Sequence, residues 1–172
     1  TKNQPPAPSN VLFPFNSILN PNYTFENYIE GDCNRLARSA GLAVANKPGV
    51  TSFNPLMVYS EVGLGKTHLV QSIGNRIKAI SPSKNVMYVS SEKFANQVIE
   101  AFKNNAIQEL ANSYLQVDVL IVDDVQFFSG KEKTQEIFFH IFNHLHQSGK
   151  QIVLTSDRPP KELKGLEERL TS

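Results

Sequence analysis

Apolar residues recur along this chain at two spacings, and the alternation between them sets the expected architecture. Short apolar runs over residues 55–59, 85–90, 117–124 and 151–156 predict four strands. The third run, VDVLIVDD, is apolar almost throughout, which fits a strand covered on both faces, as in a parallel sheet. Between the runs the apolar positions fall at helical spacing. Leu36, Ala37, Ala40, Ala43 and Val44 predict a helix capped by Asp32 and reaching Ala45. Leu69, Val70, Ile73 and Ile77 predict a second over 66–80. Phe94, Val98, Ile99 and Phe102 form the stripe of a third, with Ser91 as its cap and Glu92 in its first turn. Residues 104–114 predict a further short helix. Ile137, Phe138, Ile141, Phe142 and Leu145 mark a long one over 131–146, stopped by Gly149. Pro159-Pro160 opens a short helix with Leu163, and 166–170 reads as another.

Strands alternating with helices imply βαβ crossovers, hence an α/β fold of three αβα layers around a central parallel sheet. Two stretches stand outside the alternation. Residues 1–17, broken by Pro5, Pro6, Pro8 and Pro14, read as a linker or disordered tail. Tyr23, Phe25 and Tyr28 suggest a segment packed across the edge of the core. The remainder, 18–172, reads as one domain, and 172 residues suffice for a core of that size.

Hydrophobic content of 40% with mean hydropathy −0.28 places the chain in the soluble globular class. Seventeen basic against 16 acidic residues leave a net charge of +1, so bulk charge does not argue for nucleic acid; any such contact must come from a local patch. Cys33 stands alone, which excludes a disulfide framework and favours an intracellular, cytoplasmic setting. No apolar run approaches the ~20 residues of a membrane span, and no signal-peptide layout is present.

The candidate chemistry begins where the first strand runs into a glycine-containing loop and the second helix. In residues 60–68, SEVGLGKTH, the loop ends in Gly65-Lys66-Thr67. Gly63 and Gly65 let the backbone pass close to phosphate oxygens. Main-chain N–H groups from Val62, Gly63 and Leu64 through Thr67 can point at an anion, and the helix behind them adds its positive end. Lys66 brings a full charge to the β- and γ-phosphates, and the Thr67 hydroxyl can ligate Mg²⁺. Ser60 stands where the usual pattern has glycine, and Glu61 adds a carboxylate beside an anion site. The second half of the site is Asp123-Asp124 at the carboxyl end of the third strand, where ligands of open α/β sheets bind. Asp123 is the candidate Mg²⁺ holder and Asp124 the candidate for orienting the attacking water. Asp157, just past the fourth strand, is a candidate γ-phosphate sensor or a turn residue. His140 and His144, four apart on the long helix, read as a surface pair, since no third ligand accompanies them.

The strings around these residues resemble the AAA+ module of the DnaA family of bacterial replication initiators. The likeness is carried by residues 19–25 (LNPNYTF), 54–59 (NPLMVY), 63–68 (GLGKTH), 90–94 (SSEKF), 117–127 (VDVLIVDDVQF), 130–136 (GKEKTQE) and 155–162 (TSDRPPKE). It implies ATP and ADP as ligands with Mg²⁺, and an ATP-controlled protein that forms a filament on the replication origin, melts the duplex and is turned off by hydrolysis. On that likeness residues Val62 to His68 take the phosphates, Asn34 and Ile29 wall the adenine, and Thr67 and Asp123 hold the metal. Asp124 fills the second acidic position and Asp157 the first sensor. The helices between 91 and 114 correspond to the initiator-specific pair, and Ile99 and Lys133 match positions used on single-stranded DNA.

Further expectations follow from the same likeness. Ser60-Glu61 replaces the family's usual Gly-Gly, which bears on affinity. The chain ends at Ser172, ahead of the family's arginine finger, last core strand, lid and origin-reading domain, so it reads as a truncated core. Double-stranded origin DNA would be bound through a domain not included, single-stranded DNA through this one. Self-association, the replicative helicase and regulators of initiation complete the expected partners. A weak ATPase activity is expected of the full-length protein, not of this piece. Two alternatives remain: a helicase-loader-like ATPase, and a degenerate P-loop scaffold that binds no nucleotide. The tail at 1–17 favours the initiator, because it implies a domain upstream.

Overall fold

A computed structural model describes residues 19–29, 31, 34–59, 65–159, 162–163 and 165–171. Among the described residues four strands form, β1 (Leu56–Tyr59), β2 (Val86–Ser90), β3 (Val119–Asp123) and β4 (Gln151–Ser156), all parallel and ordered β1-β4-β3-β2. The helices are α1 (Arg35–Asn46), α2 (Lys66–Ile80), α3 (Ser91–Lys103), α4 (Ile107–Tyr114), α5 (Glu132–Gln147) and α6 (Glu167–Thr171). β3 and β4 are buried along their whole length, as their apolar runs require.

Alternation along the strands divides the core in two. Val119, Ile121 and Val153 face one side, with Val44, Leu69, Val70, Ile73 and Ile77 of α1 and α2. Leu120, Val122, Ile152 and Leu154 face the other, with α3, α4 and α5. That second layer is aromatic at its centre. Phe138 lies 4.9 Å from Phe128, 5.1 Å from Phe139 and 6.1 Å from Phe94, ring centre to ring centre.

Several boundaries differ from the sequence expectation. α1 begins at Arg35 behind Asn34, whose side chain makes no cap bond to the helix; the proposed cap Asp32, like Cys33, lies outside the described residues. α3 is capped by Ser90, not Ser91: Ser90 is still extended (φ −75°, ψ 150°), so its hydroxyl can accept the Lys93 N–H at 3.2 Å. Ser91 is already helical and buried, and donates instead to the Asp124 carbonyl at 2.5 Å. α4 starts at Ile107 because Asn105 turns through the left-handed region (φ 51°). A 3-10 turn over Val125–Phe128 was not anticipated; it follows Asp124, also left-handed (φ 62°, ψ 52°). The tail 1–17 and Pro160 of the predicted helix after β4 lie outside the described residues.

The segment 19–29 does pack across the edge of the core, and α2 holds it. Leu19 sits against Gly74, where an added Cβ would come within 2.9 Å of its side chain. Asn75 Nδ2 donates to the carbonyls of Asn20 and Tyr23, both at 2.8 Å. The His68 ring stands between Tyr23 and Tyr28, with Nε2 3.0 Å from the Thr24 carbonyl and 2.8 Å from Asn27 Oδ1. Phe25 and Tyr28 are buried.

Candidate functional site

Because every strand is parallel, Tyr59, Ser90, Asp123 and Ser156 end at one edge of the sheet. Between β1 and α2, Ser60-Glu61 and Val62, Gly63 and Leu64 lie outside the described residues. The described part resumes at Gly65, left-handed at φ 82°, ψ 22°, which glycine adopts at little cost, and α2 begins with Lys66. An open cleft of about 480 Å³ lies at that helix start. Gly65, Lys66, Thr67, His68, Asp124 and Asp157 line it, joined by Tyr23, Gln126 and Phe127. Residues far apart in the chain are thus collected around the start of α2, where the main-chain N–H groups of a helix's first turn and the helix dipole favour an anion.

Asp123 is 2% exposed and is held by three hydroxyls. Thr67 Oγ1 and the Tyr88 hydroxyl each donate to Oδ2 at 2.7 Å, and the Thr155 hydroxyl donates to Oδ1. Thr155 Oγ1 in turn accepts the Asp124 N–H at 2.8 Å, so one threonine fixes both aspartates. Burial first, and then the Asp123 carboxylate, push the Tyr88 hydroxyl far above its ordinary range, which keeps it protonated as a donor. Burial, followed by the neighbouring Asp123 charge, also raises Asp124 above the usual carboxylate range, while Lys66 and a Gln126 hydrogen bond oppose this. Gln126 bridges the cleft: its Nε2 donates to Asp124 Oδ1 and its Oε1 accepts the Asp157 N–H, each at 3.3 Å. The Asp157 carboxylate pairs with Arg158 Nε at 3.0 Å.

Thr67 and Asp123 offer hard oxygens 2.7 Å apart, and among the described residues no cluster of three His, Cys, Asp or Glu could hold a metal. That donor set suits Mg²⁺, which keeps waters and takes one or two carboxylates together with substrate phosphates. His140 and His144 accordingly belong to no described metal cluster.

Elsewhere the structure joins Asn34 to Ile29 through Asn34 Nδ2 and the Ile29 carbonyl at 3.0 Å, with the Gly31 N–H on Asn34 Oδ1 at 2.8 Å. Ile29 is exposed, and neither residue is among the described ones lining the cleft. Ile99 and Lys133, from α3 and α5, come together along a groove of about 410 Å³ with Ala95, Asn96 and Lys131. The Lys133 ammonium lies 5.7 Å from the centre of the exposed Phe102 ring. Sequence reasoning missed Tyr88, Thr155 and Gln126. The run of β-strand residues marks Tyr88 and Thr155 only as strand positions, and nothing local singles out their hydroxyls.

The fold and this site define a P-loop nucleotide-binding domain of the AAA+ class. A family model described as the bacterial DnaA ATPase domain matches residues 19–172, and the chain belongs to that family. The DnaA initiator of Flavobacterium psychrophilum is 58% identical over 156 residues, 91% of this chain and 33% of that protein. That of Chlorobaculum tepidum is 56% identical over 158 residues, 92% of this chain and 32% of its own length. The chain therefore spans about a third of the length of the curated relatives it matches. Domain III of Thermotoga maritima DnaA superposes with TM-score 0.84 at 50% identity, covering 88% of this chain and 63% of that one. A replication initiator DnaA bound to AMPPCP and single-stranded DNA gives TM-score 0.83 at 47% identity, covering 89% and 47% of the two chains. The helicase loader DnaC shares the fold at TM-score 0.73 but only 14% identity, covering 87% of this chain and 89% of that one. No described helix is long and apolar enough to cross a membrane.

Proposed function

We propose that residues 18–172 are the nucleotide switch of a chromosomal replication initiator. ATP or ADP binds at the start of α2, and its state controls self-association on the origin and duplex melting in a cytoplasmic assembly. The observation that carries this is the convergence of Thr67, Asp123 and Asp124 on one cleft headed by Lys66. In this reading the main-chain N–H groups from Val62 to His68 surround the phosphates, and Lys66 neutralises the β- and γ-oxygens. Asn34 and Ile29 close on the base. Thr67 and Asp123 hold Mg²⁺, which when bound draws charge from the β- and γ-phosphates. Asp124 orients the attacking water and accepts its proton, so that the γ-phosphoryl group passes to water and ADP leaves with phosphate. Asp157 senses the γ-phosphate from the end of β4. A raised affinity of Asp124 for protons suits a general base; a weak ATPase is expected of the complete protein. Support comes from the AMPPCP-bound relatives at 47% identity. The helicase and regulators of initiation remain expected partners of the whole protein.

Calorimetric titration with ADP in Mg²⁺, then in EDTA, tests the reading. Binding is expected in both buffers, and tighter by about tenfold with Mg²⁺, the size of one hydrogen bond or ligand contact to a charged group. Absence of binding in both would leave a P-loop scaffold without ligand.

A second reading concerns the groove of Ile99 and Lys133. An exposed isoleucine, an exposed phenylalanine and two lysines suit a single strand whose bases stack while its phosphates meet ammonium groups. A relative at 47% identity is bound to single-stranded DNA. Fluorescence anisotropy with an oligo-dT strand is expected to show weaker binding by Lys133→Ala, with the salt slope reduced by about one. An unchanged slope would remove Lys133 from the interface.

A further inference from the structure

Two tyrosines of the segment 19–29 reach the start of α2, and one side chain touches both. Tyr23 lines the cleft beside Gly65, Lys66 and Thr67. Tyr28 is buried, and its Cε2 would lie 3.4 Å from a Cβ built on Gly65. The His68 ring stands between them, 4.9 Å from the Tyr23 ring and 5.2 Å, edge to face, from that of Tyr28. Its Nε2 meets two oxygens, the Thr24 carbonyl at 3.0 Å and Asn27 Oδ1 at 2.8 Å. Neither can donate. The orientation of the Asn27 amide is fixed independently, because Oδ1 accepts the Thr24 N–H at 3.0 Å while Nδ2 donates to the Asn22 carbonyl at 2.6 Å. Nε2 therefore carries a hydrogen and shares it between two acceptors. Further along α2, Gln71, Gly74 and Asn75 hold residues from Leu19 to Tyr23. His68 takes hold of the stretch nearest the cleft.

We propose that the His68 side chain is a positioning residue: it sets the wall made by Tyr23 and Tyr28 against the phosphate end of the cleft, and so favours a nucleotide over a bare polyphosphate. This rests on the nucleotide reading above. The main chain of His68 belongs to the first turn of α2, on the phosphate side. Its ring holds the segment that continues to Ile29, whose carbonyl accepts Asn34 Nδ2, and that pair belongs to the base side. One residue thus joins the places for the two halves of the ligand. A polyphosphate occupies one half alone, so the latch matters less to it.

Calorimetry on the whole chain with ADP and with inorganic pyrophosphate, both in EDTA, tests this. His68→Phe keeps a ring between the tyrosines and removes the donor. It is expected to weaken ADP about three- to tenfold more than pyrophosphate, the effect of one net hydrogen bond. His68→Gln, whose amide N–H can serve the same oxygens, is expected to recover most of that difference. Hydrogen exchange of the peptide 19–29, followed by mass spectrometry without ligand, is expected to quicken in His68→Phe and to recover in His68→Gln, while 69–80 stays protected and shows that the fold is kept. Equal losses for ADP and pyrophosphate, or a glutamine variant no better than the phenylalanine one, would overturn the proposal. Should the unaltered chain bind neither ligand, the nucleotide reading fails, and the exchange data still decide whether the histidine holds the segment. If it binds ADP and His68→Phe matches it in both affinity and exchange, the positioning role fails alone.

Discussion

Phe138→Ala is expected to lower the stability of this domain by about 3–5 kcal/mol, the range for truncating a large buried aromatic. Phe138 is 1% exposed and touches four other rings: Phe94, Phe128, Phe139 and Phe142. Rigid rings contributed by α3, α5 and the 3-10 turn cannot collapse into the space, so most of the cavity persists. Domains of this kind have only about 5–15 kcal/mol to lose, so the variant sits near the edge of folding. Urea denaturation followed by far-UV circular dichroism gives the value, and a loss under ~1 kcal/mol would contradict the packing described. The damage also reaches the site. Phe128 closes the turn that begins at Asp124, and loosening it frees the aspartate held in its left-handed conformation.

Lys66→Ala is expected to weaken ADP by roughly 10- to 150-fold, because a charge-assisted contact contributes about 1.5–3 kcal/mol. Lys66 is the first residue of α2 and lines the cleft beside Gly65 and Thr67. Its side chain is not buried, and alanine is the best helix former, so the fold should be retained. Calorimetry reads the affinity, and an unchanged thermal midpoint shows that the loss lies in the site. Affinity within twofold of the unaltered chain would remove the lysine from the phosphates and with it the central element of the nucleotide reading.

Much of the strand and helix order was legible, for a definite reason. β3 and β4 are covered on both faces, so every residue of the runs at 117–124 and 151–156 had to be apolar or paired, and the period of the intervening stripes could only be helical. Caps were less legible. Ser90 and Ser91 are chemically equivalent as caps, and the choice depends on where β2 stops being extended, which its pairing with β3 decides. The turn at Val125–Phe128 was invisible because Asp124 is not a residue that announces a left-handed backbone as glycine does. In the candidate site, Lys66, Thr67 and Asp123 were legible from the motif and from strand-end position.

By itself, the order of residues determined most of the strands and helices and marked one stretch with the pattern of a phosphate-binding loop. Those properties depend on neighbours a few positions away. The tertiary structure alone decided what surrounds Asp123. The order β1-β4-β3-β2 sets β4 on one side of β3 and β2 on the other, bringing Thr155 and Tyr88 to the same carboxylate. The fold also lays the segment 19–29 across α2, so that the Asn20 N–H meets Gln71 Oε1. Local periodicity carries no information on which strand lies beside which, because that choice is made by burying whole faces against one another.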